Sequence, residues 1–296
     1  MSHTKALRKL LADPGAFVAP GMYDGLTARL IEQHGFKCAY LGGASIAYTR
    51  IAQPDIGLTS VTEVAQVVAH IRERLTIPFV VDIDTGFGNA LNTQRTVKMM
   101  ERMGASGLQL EDQTFPKRCG HLAGKGLIPT AEMVGKIKAA LDARTDPDTV
   151  IVARTDAIAV EGFDKALARA HAYAEAGADM LFVEAPRDDA QMTRLGQDFA
   201  GKAPLLANMV EGGKTPLKSV KDLDAFGFKM VIYPGAMVRV VAHAASEYLK
   251  ILRQDGTTER MRDRMFDFAG VNGILGLDTI MADGQRYDDK LKAAAE

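Results

Sequence analysis

Acidic side chains stand at the ends of two neighbouring apolar runs in the sequence. Asp82 and Asp84 close the first run, and Glu111 and Asp112 close the second. Because no histidine or thiolate stands beside them, they offer only oxygen ligands, which suit a hard cation such as Mg²⁺, with Mn²⁺ as its natural substitute. Each acid taken singly is equally well explained as a helix cap or an ion-pair partner. The four together favour a metal site.

A second candidate for chemistry is the glycine-bearing segment Pro116–His121. Cys119 stands there among cationic neighbours, surroundings that keep a thiol accessible and favour its ionised form. His121 is the expected orienting or polarising partner, and a solvated loop histidine is the alternative. A structural role for Cys119 also stays open, whereas Cys38 lies in an apolar run and is predicted to be a buried packing group.

Two further segments offer groups that bind anions. Leu41–Ser45 presents backbone N–H groups free of side-chain bulk, and Asn208–Pro216 adds an amide and a carboxylate to the same kind of surface. Such segments receive carboxylates or phosphates. The ligand could therefore be a carboxylate or a phosphorylated compound, although the sequence has no phosphate-binding loop signature.

The elements that must position these residues follow a regular alternation. Short apolar runs alternate with longer segments that have the three- and four-residue apolar spacing of helices. Eight such units predict an α/β fold, a closed (β/α)₈ TIM barrel. A doubly wound open sheet is the competing fold, but no G-x-G-x-x-G follows the first strand. The predicted strands are Phe17–Ala19, Cys38–Leu41, Phe79–Asp84, Gly107–Glu111, Val150–Thr155, Met180–Val183, Leu205–Asn208 and Met230–Tyr233.

The predicted strands bring the candidate side chains to one face. Arg154, Glu184 and Asn208 close later strands, as Asp84 and Glu111 close earlier ones. In a barrel, the carboxyl ends of all the parallel strands meet at the face where active sites lie. We therefore expect these side chains to share one site.

The chain continues beyond Arg253 without another predicted strand. Helical spacing recurs over Thr258–Phe268 and Val271–Met281, which have no sheet unit of their own. We predict a single barrel domain over residues 1–296, with residues 254–296 as a helical extension. This extension is either exchanged with a neighbouring subunit or forms a lid.

Composition excludes several classes of protein. The 36 Lys and Arg residues balance 37 Asp and Glu residues, without the basic cluster that nucleic-acid-binding proteins use. No apolar run reaches the roughly 18 residues of a membrane span, and the N-terminus lacks a secretory signal pattern. The 2 cysteines cannot form the disulfide framework of a small secreted protein. We therefore predict a cytoplasmic protein without a nucleic-acid or membrane partner.

Nine segments occur in the order that they have in the isocitrate lyase and phosphoenolpyruvate mutase superfamily, which the chain resembles over nearly its whole length. The Lys117–His121 loop resembles that of the carbon–carbon lyase branch, which includes 2-methylisocitrate lyases, 2,3-dimethylmalate lyases and the petal death protein. The segments are Pro20–Asp24, Leu41–Gly43, Pro54–Gly57, Val81–Gly88, Leu110–Gln113, Lys117–His121, Ala153–Ala157, Val183–Ala185 and Asn208–Pro216.

The resemblance implies a barrel of the phosphoenolpyruvate mutase type whose last helix is swapped between subunits, in a homotetramer built as a dimer of dimers. It also implies one Mg²⁺ ion, bound directly by Asp84 and largely through water by Asp55, Asp82 and Glu111. Mn²⁺ is the alternative ion.

The implied reaction is the retro-aldol cleavage of a 2-hydroxy acid into a 2-oxo acid and a second carboxylic acid. Cys119 would protonate the departing carbanion and therefore begin as a thiol, although its cationic neighbours alone favour the thiolate. Tyr40 would assist removal of the hydroxyl proton, and Lys117 and His121 complete the catalytic group. The residues assigned to substrate binding are Leu41, Gly42, Gly43, Gly120, Arg154, Glu184, Asn208 and Glu211.

The implied substrate is a small di- or tricarboxylate, either a 2-alkylmalate such as 2,3-dimethylmalate or 2-methylisocitrate. Methylisocitrate lyases carry an arginine in the C-terminal helix for the third carboxylate, where this chain has Phe268. An apolar residue leaves that charge unpaired and so favours a 2-alkylmalate. Pro234, where oxaloacetate hydrolases have serine, argues against that activity, and Arg50 could supply a further carboxylate contact. A decarboxylase of oxaloacetate or a related 2-oxo acid, and a non-catalytic dicarboxylate-binding barrel, stay open as alternatives.

Overall fold

The computed structural model describes residues 1–120 and 122–288. Its sheet has eight parallel strands: β1 Phe17–Met22, β2 Ala39–Leu41, β3 Phe79–Asp82, β4 Gly107–Glu111, β5 Val150–Thr155, β6 Met180–Val183, β7 Leu205–Asn208 and β8 Phe228–Tyr233. Each strand pairs with the next, and β1 also pairs with β8, so the sheet closes into a barrel. The predicted (β/α)₈ fold is therefore confirmed.

Strands β4 to β7 have the predicted bounds, and the other four differ. β1 extends to Met22, because Pro20 and Gly21 continue the pairing with β8 and β2. β3 ends at Asp82, and the backbone at Asp84 turns into the left-handed region with φ 48°. β2 begins one residue later and β8 two residues earlier than predicted.

Helices follow the strands and surround the barrel. Ser60 and Ser219 begin two of them, because each side chain accepts the backbone N–H of a residue in the first turn, whose carboxylate returns the contact. The helices are α1 His3–Ala12, α2 Gly25–Gln33, α3 Gly43–Arg50, α4 Val61–Arg72, α5 Ala90–Arg102, α6 Thr130–Ala143, α7 Ala157–Val160, α8 Phe163–Glu175, α9 Asp189–Phe199, α10 Val220–Ala225, α11 Ala236–Asp255, α12 Phe268–Leu275 and α13 Leu277–Gln285.

Side chains alternate along each strand between the barrel interior and the layer of helices. On β5, Val150 and Val152 pack in the interior with Leu7 of α1, while Ile151 and Ala153 pack in the core cluster that includes the helices. Arg154 follows two residues after Val152, on the same inward-facing side of β5. Other strands follow this pattern, so the interior is apolar near the amino ends of the strands and polar at their carboxyl ends.

The described chain forms two compact units, one from Met1 to Arg239 and the other from Val240 onward. Helix α11 spans the boundary between them. A single domain with an extension from residue 254 stays a prediction. In the parts of the chain that the structure describes, no helix combines the length and the apolarity needed to cross a membrane.

The second unit corrects the predicted helices of the tail. The predicted helix over Thr258–Phe268 is wrong, because a 3₁₀ helix over Glu259–Arg264 is followed by extended backbone, and α12 begins only at Phe268. The predicted helix over Val271–Met281 is divided, because Gly276 takes a left-handed conformation with φ 76° between α12 and α13. Exchange of this tail between subunits stays a prediction.

Candidate active site

A cavity of about 150 Å³ lies at the carboxyl end of the barrel strands. This is the face predicted for the site. Side chains from the strand ends that line it include Tyr40, Asp82, Glu111, Arg154, Phe182, Glu184, Asn208 and Ile232. The segments after the strands contribute Gly42, Gly43, Tyr48, Asp55, Lys117, Cys119, Gly120, Val210, Pro234 and Arg239.

Buried carboxylates surround the ammonium group of Lys117 at one wall of the cavity. Lys117 Nζ lies 2.5 Å from Asp55 Oδ1 and 2.7 Å from Asp84 Oδ1. Asp82 and Glu111 are buried beside this pair and add further negative charge. The structure thus brings together the four acids that the family resemblance implies as metal ligands, and it places a lysine between two of them. Asp112, grouped with them by sequence position, instead accepts hydrogen bonds from Thr155 and Tyr173.

Burial sets the charge states of this cluster. It raises the pKa of Asp84 to about 7, although Lys117 opposes the shift, and it raises the pKa of Glu111 well above its ordinary value against the pull of Arg154. Burial alone would lower the pKa of Lys117, but the carboxylates, Asp84 first, raise it well above its usual range. Lys117 therefore stays protonated, and the excess of carboxylates around it favours binding of a further cation.

The donor set fits a hydrated divalent cation. Across residues 1–120 and 122–288, no group of three His, Cys, Asp or Glu side chains could by itself hold a metal ion. Mg²⁺ usually keeps several waters and takes one or two carboxylates from the protein, so it needs no such group. Glu111 Oε1 is buried and has no hydrogen-bond partner in the described structure. A hydrated cation would satisfy this oxygen.

The loop after β3 directs Asp84 toward the cluster. The backbone N–H of Asp84 donates to Asp82 Oδ1 over 3.0 Å. Lys136, buried on α6, donates from Nζ to the Thr85 carbonyl over 3.0 Å and so fixes the next peptide. Gly43 provides the space, since a Cβ at that position would lie 3.1 Å from Asp84 Oδ1.

Tyr40 lies in the floor of the cavity. Its O–H donates to Gln109 Oε1 over 2.6 Å. Burial raises the pKa of Tyr40 well above its ordinary value, and Asp82 raises it further. Tyr40 is therefore a neutral phenol near pH 7.

Arg154 forms the opposite wall, in contact with three carboxylates. Its Nε lies 3.0 Å from Asp156 Oδ2 and 3.4 Å from Glu111 Oε2, and its Nη2 lies 3.4 Å from Glu184 Oε2. The guanidinium carbon stands 5.0 Å from the centre of the Phe182 ring. A planar cation held at this many points is suited to bind a substrate carboxylate.

Asn208 extends this wall. Its Nδ2 donates to Glu184 Oε2 over 3.0 Å, while its Oδ1 has no hydrogen-bond partner among the described residues. The predicted substrate-binding residues at the ends of β5, β6 and β7 therefore form one connected surface.

The loop that carries Cys119 is fastened to the rest of the site by backbone contacts. The Gln113 side chain exchanges two hydrogen bonds of 2.9 Å with the Arg118 backbone. The Cys119 N–H donates to the Asp55 carbonyl over 3.1 Å. Cys119 lines the cavity and is half-buried.

Gly120 brings this loop directly against the arginine wall. A Cβ at Gly120 would lie 2.5 Å from Arg154 Nη2 and 2.7 Å from Glu184 Oε2. Only glycine allows this approach, so the thiol-bearing loop and the carboxylate-binding side chain are matched in shape. His121, predicted as a catalytic residue, lies outside the described residues.

Three predicted site residues lie away from the lining of the cavity in the described structure. Leu41 is wholly buried in the hydrophobic core around the barrel. Asp84 forms an ion pair with Lys117, and Glu211 pairs with Arg239 at the exposed rim. Arg50 is exposed and makes no contact with the cavity.

The sequence patterns did not indicate Tyr48, Phe182 and Arg239, which line the cavity. Phe182 could have been found on β6 as the residue two positions before Glu184, on the same inward side of the strand. Tyr48 belongs to the segment whose Arg50 was expected to reach the site, and burial together with Cys119 and Asp55 raises its pKa. Arg239 follows the last strand on a helix, where apolar spacing gave no signal.

Comparison with known proteins agrees with this geometry. A family model described as phosphoenolpyruvate phosphomutase matches residues 7–253. The 2,3-dimethylmalate lyase of Eubacterium barkeri is 42% identical over 280 residues, which cover 95% of this chain and 96% of the relative. The 2-methylisocitrate lyase of Aeropyrum pernix is 42% identical over 294 residues, which cover 98% and 91%.

Solved structures give the same picture. A crystal structure of 2,3-dimethylmalate lyase has a TM-score of 0.91 at 35% identity and covers 97% of this chain and 96% of its own. Oxaloacetate acetylhydrolase in complex with 3,3-difluorooxalacetate reaches 0.92 at 33% identity, covering 97% and 98%. Phosphonopyruvate hydrolase in complex with oxalate and Mg²⁺ reaches 0.86 at 31% identity, covering 97% and 99%.

Proposed function

The chain belongs to the phosphoenolpyruvate phosphomutase family and is a carbon–carbon lyase, and from this premise we propose that it cleaves a 2-substituted malate with the help of a divalent metal ion. The products are pyruvate and a second carboxylic acid. One observation carries the proposal. Cys119 lines the same cavity as Arg154 and the carboxylate cluster, so an acid, an anion-binding group and a cation site surround one space.

The metal ion would be Mg²⁺, with Mn²⁺ as its substitute. Asp84 would bind it directly, and Asp55, Asp82 and Glu111 would hold its water ligands. When bound, such an ion polarises the hydroxyl and carboxylate oxygens of a 2-hydroxy acid as a Lewis acid. The Mg²⁺ in the phosphonopyruvate hydrolase complex supports this assignment by similarity.

The pyruvyl half of the substrate would bind between Arg154 and the amino end of α3. Arg154 would pair with the carboxylate, and Gly42 and Gly43, which line the cavity at the amino end of α3, would offer backbone N–H groups at a helix terminus, where anions are favoured. Asn208 adds an amide. Tyr40 would assist the hydroxyl through a hydrogen bond, since its raised pKa keeps the phenol protonated.

Cys119 would act at the other end of the bond that breaks. The hydroxyl proton would pass to a carboxylate of the cluster around Lys117, and the hydroxyl oxygen becomes the carbonyl of pyruvate as the C2–C3 bond opens and leaves its electron pair on C3. The Cys119 thiol gives its proton to C3 as a general acid, and the resulting thiolate regains a proton before the next turnover. Lys117 and His121 complete the proposed catalytic group, and Gly120 and Glu184 shape the wall beside the reacting atoms.

A 2-alkylmalate such as 2,3-dimethylmalate, or 2-methylisocitrate, is the proposed substrate. Val210, Ile232 and Pro234 provide an apolar part of the lining, which suits an alkyl substituent. The second candidate function is decarboxylation of oxaloacetate at the same site. Likeness to oxaloacetate acetylhydrolase supports oxaloacetate as a ligand and does not by itself support the decarboxylation.

The proposed assembly is a homotetramer of helix-swapped dimers. Large apolar side chains exposed on α12 and α13, such as Phe268, Ile280 and Met281, support a covered surface there. Light scattering combined with size-exclusion chromatography tests the assembly, and a monomer at micromolar concentration would exclude it.

Cleavage in D₂O tests the proposed function. From 2,3-dimethylmalate we expect pyruvate and propionate in equal amounts, with one deuterium on the propionate carbon next to the carboxylate, seen by NMR. This position is the former C3, which receives the proton. Release of carbon dioxide from oxaloacetate without cleavage of any substituted malate would instead support the decarboxylase.

A further inference from the structure

We infer that Lys125 is a positioning residue, which sets the place of the proton-donating loop and of the carboxylate-binding arginine at the same time. This inference rests on the proposed lyase function. Lys125 follows the thiol-bearing loop and does not line the central cavity in the described structure. It therefore acts through its neighbours.

The contacts of the Lys125 ammonium join two different segments. Its Nζ donates to the Gly120 carbonyl in the loop and lies 2.7 Å from Asp156 Oδ1, just after β5. The Lys125 side chain is 1% exposed and the Asp156 side chain is 0% exposed. A charge this deeply buried is stable only while its partners stay in place.

Asp156 transmits the effect to the arginine wall. Its Oδ1 lies 2.7 Å from Lys125 Nζ and 3.2 Å from Arg154 Nη2, while its Oδ2 lies 3.0 Å from Arg154 Nε. One carboxylate oxygen is thus shared by both cations. Because the Asp156 N–H also donates to Asp112 Oδ1 over 3.0 Å, the carboxylate has a fixed base.

The loop has little freedom to move without consequence. Gly120 packs so closely against Arg154 that a Cβ would lie 2.5 Å from Nη2, and Cys119 is its neighbour in the chain. Gln113 and Asp55 hold the loop on the amino side of Gly120, and Lys125 holds it on the carboxyl side. Displacement of a reacting group by about 1 Å costs on the order of a hundredfold in rate.

The variants Lys125→Met and Lys125→Arg test the inference. Methionine keeps the apolar length of the side chain and removes both contacts, while arginine keeps the charge. Lys98→Met, which removes an exposed lysine of α5, is the matched control. Lys125→Gln serves as a second uncharged variant if the methionine variant does not fold.

Two measurements separate positioning from mere stability. The first is the rate of Cys119 alkylation by iodoacetamide, which can be followed alone because Cys38 is fully buried. The second is the separate determination of kcat and KM for pyruvate release. In Lys125→Met we expect several-fold faster alkylation, a fall in kcat of roughly ten- to a hundredfold and a raised KM. Lys125→Arg should bring the alkylation rate and kcat part of the way back to the wild-type values.

The outcomes distinguish this inference from the proposed function. An alkylation rate and a kcat that match those of the wild type in folded Lys125→Met would overturn the inference. So would a loss of kcat with an unchanged alkylation rate, because the loop would then not have moved. If the wild type cleaves none of the substituted malates, the proposed function fails, and the alkylation rates still decide whether Lys125 holds the loop.

Discussion

The two thiols of the chain stand in environments that give them opposite reactivity. Cys38 is fully buried in the barrel interior, where desolvation raises its pKa to about 12, whereas Cys119 lines a cavity open to ligands. Burial favours the neutral thiol, so Cys38 stays protonated at pH 8. At pH 8 a disulfide reagent should therefore titrate one thiol in the native protein and two after denaturation. Two fast thiols in the native state would contradict this description.

Replacement of the proposed proton donor gives the sharpest prediction for a single residue. Cys119→Ser nearly keeps the size of the side chain but replaces the thiol with a much weaker acid, whose pKa is far too high for proton donation, so kcat should fall by about a hundredfold or more. Thermal unfolding should be unchanged, because Cys119 is not part of the core. Cys38→Ala is the control, which should lose about 1 kcal/mol of stability and keep its activity. Near-normal turnover by Cys119→Ser would exclude Cys119 as the donor.

Residue types and strand ends were enough to predict most of the polar site. On several strands, the inward-facing positions near the amino end are apolar, and the last inward-facing position at the carboxyl end is polar. This arrangement brings together Asp82, Glu111, Arg154, Glu184 and Asn208. Contacts that depend on loop conformation could not be predicted in this way. Lys117 lies between carboxylates in a loop that has no periodic pattern, and Tyr48 lines the cavity from α3, where the residue pattern did not mark it as a site residue.

At the scale of the elements, close packing of α9 against the turn before β8 depends on one glycine. A Cβ at Gly196 would lie 1.6 Å from the Phe226 carbonyl oxygen, so Gly196→Ala must push the helix away and should cost about 1–3 kcal/mol. Gly135 on α6 is the matched control, because a Cβ there meets no atom within 4 Å. Gly135→Ala should stabilise the protein by about 0.5–1 kcal/mol. Denaturant unfolding measures both, and equal effects would contradict this packing.

Strand and helix positions were predictable where the chain is regular and not where it is interrupted. β4 to β7 contain no proline, and their bounds are those expected. The strand predicted over Phe17–Ala19 stops before Pro20 and Gly21, residue types that are uncommon inside strands, yet parallel pairing with β8 and β2 continues the strand through both. In the tail, Gly276 divides α12 from α13 where apolar spacing alone continued one helix.

At the scale of the whole molecule, the tail offers a test of substrate choice. Phe268 begins α12 and is 87% exposed, where the methylisocitrate lyase branch is expected to place an arginine. If subunits exchange this tail, Phe268→Arg should raise the kcat/KM for methylisocitrate relative to dimethylmalate by roughly tenfold, the scale of one charged hydrogen bond. Phe266→Arg, at a neighbouring position that is 63% exposed, is the control. An unchanged ratio would show that residue 268 does not approach the substrate.

Metal-dependent release of pyruvate is the decisive measurement for the proposed cleavage of a 2-substituted malate. The wild-type protein is incubated with methylisocitrate, dimethylmalate, citramalate, isocitrate and oxaloacetate, each with Mg²⁺, with a chelator, and with Mg²⁺ restored after chelation. We predict pyruvate from one substituted malate, loss of that activity with chelator, and its recovery with Mg²⁺ or Mn²⁺. Cleavage that persists in the chelator, or pyruvate from oxaloacetate alone, would contradict a metal-dependent lyase.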